Sequence, residues 1–328
     1  MVSLAKCRSA VSCYGFKVDT VVQYYLEWVV VPFYVLIVGW NPFKGNYDYA
    51  VFQSAKRGDE KYSCKVMRRF GELEQRLEDK TFFSFGERDR KKIESSVVFA
   101  SLTYSRESKL EETWGLVSRD FNRWITRLRR RFGKIDVLRC FESHEDGYCH
   151  VHAVLLFREA KFRGFRWDKF KDGKRIITYR VDQVEPFKAG WRGGFADIQL
   201  CSSVKGAFSY ISKYLAKSVS KDEQGGKGVK TLALSWYFRK RSFSVSGGFA
   251  EVYSDLIIDR DNSNLFVPYV LTFDGKKIEC EVSKWHLYGF VKGDHVKWAR
   301  DFRKMELSEI NDLEEKGLIE RSERYSYG

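Results

Sequence analysis

Between residues 93 and 250, short strand-like runs alternate with helical stripes. Residues 97–104 (VVFASLTY) are apolar and partly β-branched, the composition of a strand. Trp114, Val117, Phe121, Trp124, Leu128 and Phe132 then recur at every third or fourth position. That spacing predicts one apolar stripe of an amphipathic helix, which Gly133 ends. Residues 137–142 and 148–157 flank the polar turn SHEDG and predict an antiparallel hairpin. Further on, the pattern predicts strand pieces such as 176–181, a strand at 195–200 and a helix at 204–218. A Gly/Lys-rich loop at 221–230 leads into 231–238, and the composition changes after Gly247-Gly248.

The flanks read differently. Residues 59–90 are charged and helix-prone, most clearly 66–79, and end in a polar stretch, 86–92, read as a linker. Residues 28–40 (WVVVPFYVLIVGW) form an uncharged run, shorter than the ~20 apolar residues a bilayer span requires. Pro32 and the valines favour a core strand pair or kinked helix there over a membrane anchor. Glu27 and the lack of a small-residue cleavage site argue against a secretory signal. Residues 306–321 predict a short capped helix stopped at Gly317. The expected fold class is α+β, a central antiparallel sheet with packed helices and additions at both ends. The expected division is 1–92 as an N-terminal region and 93–250 as a catalytic domain. Residues 251–328 follow as an accessory region with DNA binding as its candidate role.

Composition narrows the partners. A net charge of +14 and a pI near 9.3 suit a polyanion, either nucleic acid or an anionic membrane surface. Hydrophobic residues at 44% and aromatics at 16% supply a real core and exclude a disordered chain. The seven cysteines form no CxxC pair or regular spacing, which excludes a disulfide framework and a zinc ribbon and fits reduced thiols in the cytoplasm. The stretch 225–231 (GGKGVKT) lacks the phosphate-loop spacing, so no fused ATPase helicase is expected.

Five histidines occur, and His144, His150 and His152 fall within nine residues. Side chains two apart on a strand project from the same face, so His150 and His152 can share one divalent cation. Glu142 on the preceding strand can add a carboxylate across the hairpin, and such a mixed set suits Mg²⁺ or Mn²⁺ with a phosphate. His144 reads as a turn residue, or as the third ligand in place of Glu142. By itself His-x-His is also what two ordinary strand histidines look like. The helix 204–218 carries Tyr-x-x-Lys twice, overlapping: Tyr210, Lys213, Tyr214, Lys217. The two tyrosines share a face, each with a lysine three residues on. A free phenol with a pKa near 10 is ionised about one part in a thousand at neutral pH. As a nucleophile it needs a nearby cation and a polarised electrophile. Alone, this helix equally fits a surface helix with aromatic anchors and solvated lysines.

The three elements occur in one order, FASLTY (99–104), then His-Val-His, then YxxKYxxK. As a set they resemble the HUH endonuclease superfamily, specifically the replication initiators of rolling-circle plasmids and viruses. The resemblance covers roughly residues 95–245, and the segment LSWYFRKRSFSVS (234–246) is similar to archaeal plasmid initiators. It implies a ferredoxin-like or RRM-like palm, with His150 and His152 as the metal pair and Glu142 as a third, carboxylate ligand. It places Tyr214 and Tyr210 as nucleophiles, Tyr214 matching the tyrosine of relatives that keep only one, and Lys213 as a charge stabiliser. It further implies Mn²⁺ or Mg²⁺, single-stranded origin DNA as substrate, a 5′-phosphotyrosine intermediate, and a host helicase and polymerase as partners.

The candidate DNA surface comprises Arg129, Arg130 and Arg131 at the end of the first helix, Lys217, and the basic-aromatic segment 161–174. Three other readings stay open. One is a relaxase or transposase of the same superfamily, although relaxases place the tyrosine before the histidines. Another is a non-catalytic RRM-like nucleic-acid-binding protein. The last is a membrane-associated structural protein resting only on 28–40.

Overall fold

Alternating burial along the central strands and three-to-four spacing along the helices generate the observed α+β architecture. The computed structural model describes residues 3–54, 56–77, 84–87, 90–171, 173–219, 227–252, 269–271, 277–279, 286–291 and 303–321. The chain divides into two compact units, 1–26 with 63–256, and 27–62 with 257–328. Residues 1–26 and 63–92 thus group with the central segment, and 27–62 with the C-terminal one, rather than following a division at 92 and 250.

The larger unit is built on β3 (Ser84–Glu87), β4 (Arg90–Ser95), β5 (Val97–Tyr104), β6 (Ile135–Ser143), β7 (Cys149–Phe157), β8 (Phe162–Lys171), β9 (Lys174–Val181), β10 (Gly194–Leu200) and β11 (Phe243–Ser246). Among the described residues these form one sheet in the order β11-β6-β7-β5-β10-β9-β8-β4-β3, with antiparallel neighbours throughout. The polar stretch read as a linker at 86–92 therefore lies in the β3–β4 pair. Lys91 and Lys92 are strand residues because pairing with Gly86 and Phe85 overrides their weak strand propensity.

Helix α4 (Leu110–Phe132) buries the predicted stripe, with Trp114 and Trp124 fully enclosed. The indole N–H of Trp124 donates to the Phe187 carbonyl of α5 (Glu185–Gly190), at 2.8 Å. Helix α6 (Val204–Val219) buries Val204, Ala207, Phe208, Ile211 and Leu215, and it packs with α7 (Lys227–Tyr237) over β5, β6 and β7. Residues 227–230, read as part of a loop, begin α7, whose segment from Thr231 to Tyr237 is buried on all sides. A helix enclosed all round shows no amphipathic stripe, which hid it. Helix α1 (Leu4–Tyr14) and the start of α2 (Val18–Val30) lie against α7, through Arg8 donating to the Tyr237 carbonyl and Tyr25 against Trp236. Helix α3 (Glu60–Arg76) sends Phe70 onto Phe208.

In the smaller unit, β1 (Tyr34–Asn41), β2 (Asn46–Gln53), β14 (His286–Val291), β15 (Arg303–Met305) and β16 (Ile319–Arg321) pair in the order β15-β2-β1-β14-β16. Strands β12 (Tyr269–Leu271) and β13 (Lys277–Glu279) pair with each other. The apolar run 28–40 is neither a strand pair nor a kinked helix. It ends α2, breaks at Val31–Phe33 around Pro32 and continues as β1, since proline cannot supply the next helical N–H. The Lys56 ammonium closes that break by donating to the Trp28 and Val31 carbonyls, and burial lowers its pKa to about 8. Helix α8 (Leu307–Glu315) has the predicted cap: Glu306 and Glu309 form a reciprocal capping box, and Gly317 follows at φ +64°. Among the described residues no helix is long and apolar enough to cross a membrane.

The β6–β7 turn is held from beneath. Gly147 stands at φ +93°, with Val18 and Leu110 where a Cβ would go, and its carbonyl accepts the Trp114 indole N–H at 2.8 Å. Trp114→Ala removes that hydrogen bond and a fully buried ring. Denaturant unfolding should register a loss of roughly 3–5 kcal/mol, whereas a loss under ~1 kcal/mol would mean that the turn is anchored elsewhere.

Candidate functional site

Strand register gathers the chemistry. Glu142 on β6 pairs with His150 on β7, which pairs on its other side with Thr103 of β5. One step along, Cys140, His152 and Ser101 form the same kind of row. These side chains lie on the face under α6, while Val151, between the histidines, turns to the other face and is fully buried.

His152 is 2% exposed and held from both ring nitrogens. Its Nδ1 is 3.1 Å from Ser101 Oγ and its Nε2 is 3.0 Å from Glu142 Oε2. His150 Nδ1 lies 2.7 Å from His144 Nε2, whereas His150 Nε2 is buried without a hydrogen-bond partner. The His144, His150 and His152 rings follow one another at 4.5 and 4.4 Å. Burial, with His152, His144 and Arg106 adding to it, pulls the His150 pKa down to about 2. Burial also lowers His144. His150 is therefore neutral at ordinary pH, the form that offers a lone pair to a cation.

An orphaned buried imidazole nitrogen beside a second imidazole and a carboxylate fits a divalent cation as a donor set. His150, His152 and Glu142 are the residues that could hold one. The fit is one of chemistry rather than of finished geometry: among the described residues no three His, Cys, Asp or Glu side chains are already arranged around a common metal point. Glu142 instead engages His152 directly.

Helix α6 lays its two tyrosines over this row. The Tyr214 ring stacks on His152 at 3.6 Å, and its hydroxyl donates to Tyr210 Oη at 3.1 Å. Phe99 of β5 supports both rings, edge-on to Tyr210 at 4.7 Å and stacked with Tyr214 at 5.9 Å. Lys213 Nζ sits 5.7 Å from the Tyr210 ring centroid, so its charge lies beside Tyr210. Burial first, then the hydrogen bond to Tyr210, pushes the Tyr214 pKa well above the usual phenol range. Tyr210 is the more open of the pair at 38% exposure.

The structure brings together Glu142, His150, His152, Tyr210, Lys213 and Tyr214. It does not bring Arg129, Arg130 and Arg131 to them. Those arginines lie at the end of α4 beside the start of β6, and Arg129 is tied to the Ile135 carbonyl and Ser246 Oγ. Seven strand residues, about 23 Å, separate Ile135 from Glu142. Lys217 lies in α6, with its side chain outside the described residues.

Two partners escaped the sequence reading. Ser101 was visible by alternation, two residues after Phe99 on the strand beside the histidines, but its motif read only as core. His144, read as a turn residue or third ligand, is a ring partner of His150; nothing in its spacing signals that pairing. A cavity of about 480 Å³ lined by Tyr104, Asp120, Arg123, Arg127 and Arg192 lies on the α4 face and shares no residue with this cluster.

Residues 97–219, from β5 through α6, match the family model for the replication-associated protein ORF2. The matched segment is rather more than a third of the chain and contains every residue of the cluster. No curated protein and no solved structure matches the chain. The family match supports a role in DNA replication as an initiator.

The raised phenol makes a test of the site's packing. Unfolded tyrosine ionises near pH 10, while folded Tyr214 keeps its proton to higher pH. Above about pH 10 the unfolded state therefore loses protons that the folded state retains, and stability falls with rising pH. Urea unfolding between about pH 9 and 12 should show a shallower fall in Tyr214→Phe than in the wild type. Tyr104, raised for the same reason, leaves a residual slope. Equal slopes would place the Tyr214 hydroxyl in open solvent.

Proposed function

We propose that this chain is a cytoplasmic rolling-circle replication initiator of the HUH type, which nicks and rejoins single-stranded origin DNA through a tyrosine. The observation that carries the reading is the convergence of His150, His152, Glu142, Tyr210 and Tyr214 on one sheet face within the segment similar to a replication-associated family. A strand transferase needs a phosphate-polarising centre next to a phenol, and ring contact between His152 and Tyr214 supplies that adjacency.

His150, His152 and Glu142 would hold Mn²⁺ or Mg²⁺, which when bound polarises the scissile phosphate and screens its charge. His144 positions His150: with its proton on Nδ1 donated to His144 Nε2, His150 presents the unshared pair of Nε2. Ser101 orients His152 in the same way from Nδ1. Tyr214 is placed to attack. Its oxygen bonds to phosphorus, the bond from phosphorus to the 3′-oxygen breaks, and a 5′-phosphotyrosine and a 3′-hydroxyl result. The phenolic proton leaves along the hydrogen bond to Tyr210 and solvent, and the leaving 3′-oxygen takes a proton from solvent. Lys213, beside Tyr210, steadies negative charge as that proton departs and lets Tyr210 act in the return step. A host polymerase would extend the 3′-hydroxyl and a host helicase would open the duplex.

A second reading is a non-catalytic nucleic-acid-binding protein. The direct bond between Glu142 and His152 favours it, because it satisfies both groups without an ion.

Incubation with end-labelled single-stranded origin oligonucleotides and Mn²⁺, Mg²⁺ or EDTA, read on a denaturing gel, separates the two. The expected result is a cation-dependent, detergent-resistant adduct. It should fall by roughly 10³-fold or more in the variant, Tyr214→Phe or Tyr210→Phe, that removes the first nucleophile. His150→Ala should abolish it with folding retained, and His144→Ala should weaken Mn²⁺ affinity by ~10–100-fold. Tight binding with no adduct on any origin-bearing substrate, indifferent to EDTA, would establish the binding-only reading.

A further inference from the structure

The face that carries the histidines continues past them. Phe195 on β10 pairs with Thr103, which pairs with His150, so Phe195 lies in the row of Glu142 and His150. Four residues on, Gln199 pairs with Arg180 of β9, and Arg180 pairs with Phe165 of β8. Trp167 follows two positions after Phe165 and therefore shares that face as well. An Arg180–Asp197 ion pair on this face joins β9 to β10. Helix α6 covers β5, β6 and β7 beside this stretch, yet Phe195 is 65% exposed and Trp167 49%.

Beyond Phe165 and Tyr179, strands β8 and β9 pair only with each other among the described residues and form a two-stranded arm. Large apolar side chains are exposed on both its faces, Trp167 and Ile176 on one, Phe170 and Ile177 on the other. Residues 161–181 contain eight Lys and Arg against two Asp, and no Asn or Gln. A purely structural hairpin would cover such rings, and a surface for another copy of this basic chain would carry compensating acids.

We propose that Phe195 and the β8–β9 arm form a track for unpaired DNA, along which bases stack on Phe195 and Trp167 while basic residues follow the phosphates. From β7 to β8 the track crosses four strand spacings, about 19 Å. A two-stranded ribbon can also enter a duplex major groove, where base edges are read by hydrogen-bonding side chains. Exposed ring planes with no amide side chain favour the single strand. The nicking reading sets only where the track begins, at the phosphate beside His150 and Tyr214.

The test is fluorescence anisotropy of the full chain in EDTA, where no nicking intervenes, with a labelled single strand of about 20 nucleotides and the matching duplex. Trp167→Ala and Phe195→Ala should each weaken single-strand binding by ~5–150-fold, the range of one lost base stack. Duplex binding should change by less than about threefold, and Trp167→Phe should restore most of the loss. Circular dichroism and denaturant midpoints confirm that each variant is folded. Single-strand affinity within about threefold of wild type in the double variant would overturn the track. Equal losses for single strand and duplex would overturn it in favour of groove binding. A protein that loses affinity as expected but forms no adduct keeps the track and loses the nicking reading, and the converse result loses the track alone.

Discussion

Antiparallel register among β5, β6 and β7 is the constraint on which the larger unit depends. Side chains on a strand alternate with a period of two, so a slip by one residue would turn His150 and His152 into the apolar layer under α4 and bring Val151 beneath the tyrosines. The layer itself opposes the slip: Val151, Ala153 and Leu155 are fully buried, and charged or polar rings in their place would lose their hydrogen bonds. Gly147 at the turn, fixed by Trp114, sets where the two strands start to pair. Apolar packing on one face thus holds polar chemistry in place on the other.

Electrostatics within the cluster works against charge. Burial keeps His150 neutral and keeps the Tyr214 proton in place, and the nearest lysine lies over Tyr210. An apolar floor of Phe99 and a stacked His152 make phenolate formation at Tyr214 expensive without a positive charge close by. The same packing restricts where the ring can turn, so the hydroxyl is positioned even while it is weakly acidic. Reactivity and position are supplied by different groups.

Much of this was legible in the sequence because it follows from period. The stripe from Trp114 to Phe132, the strand 97–104 and the hairpin around SHEDG appear as α4, β5 and the β6–β7 pair. The facing of Glu142 and His150 follows from the hairpin alone. What stayed hidden depends on neighbours rather than on local pattern. Helix α7 is buried on every side and shows no stripe. The pairing that makes strands of Lys91 and Lys92 is supplied by Gly86 and Phe85 across the turn. The proximity of His144 to His150 rests on the fold of the turn. The arginines at the end of α4 had the right charge, but their distance along β6 could only be seen in three dimensions.

The β8–β9 arm leaves the sheet after β7 and returns to it before β10, so both ends are fixed by strands that already have partners. Its length and tip do not enter the register of β5, β6 and β7. Insertions, deletions or exchanges in the arm leave the histidine and tyrosine rows where they are. This part of the chain is a socket for modular exchange: substrate preference can diverge there, or be redesigned, while the chemistry of the sheet is inherited unchanged.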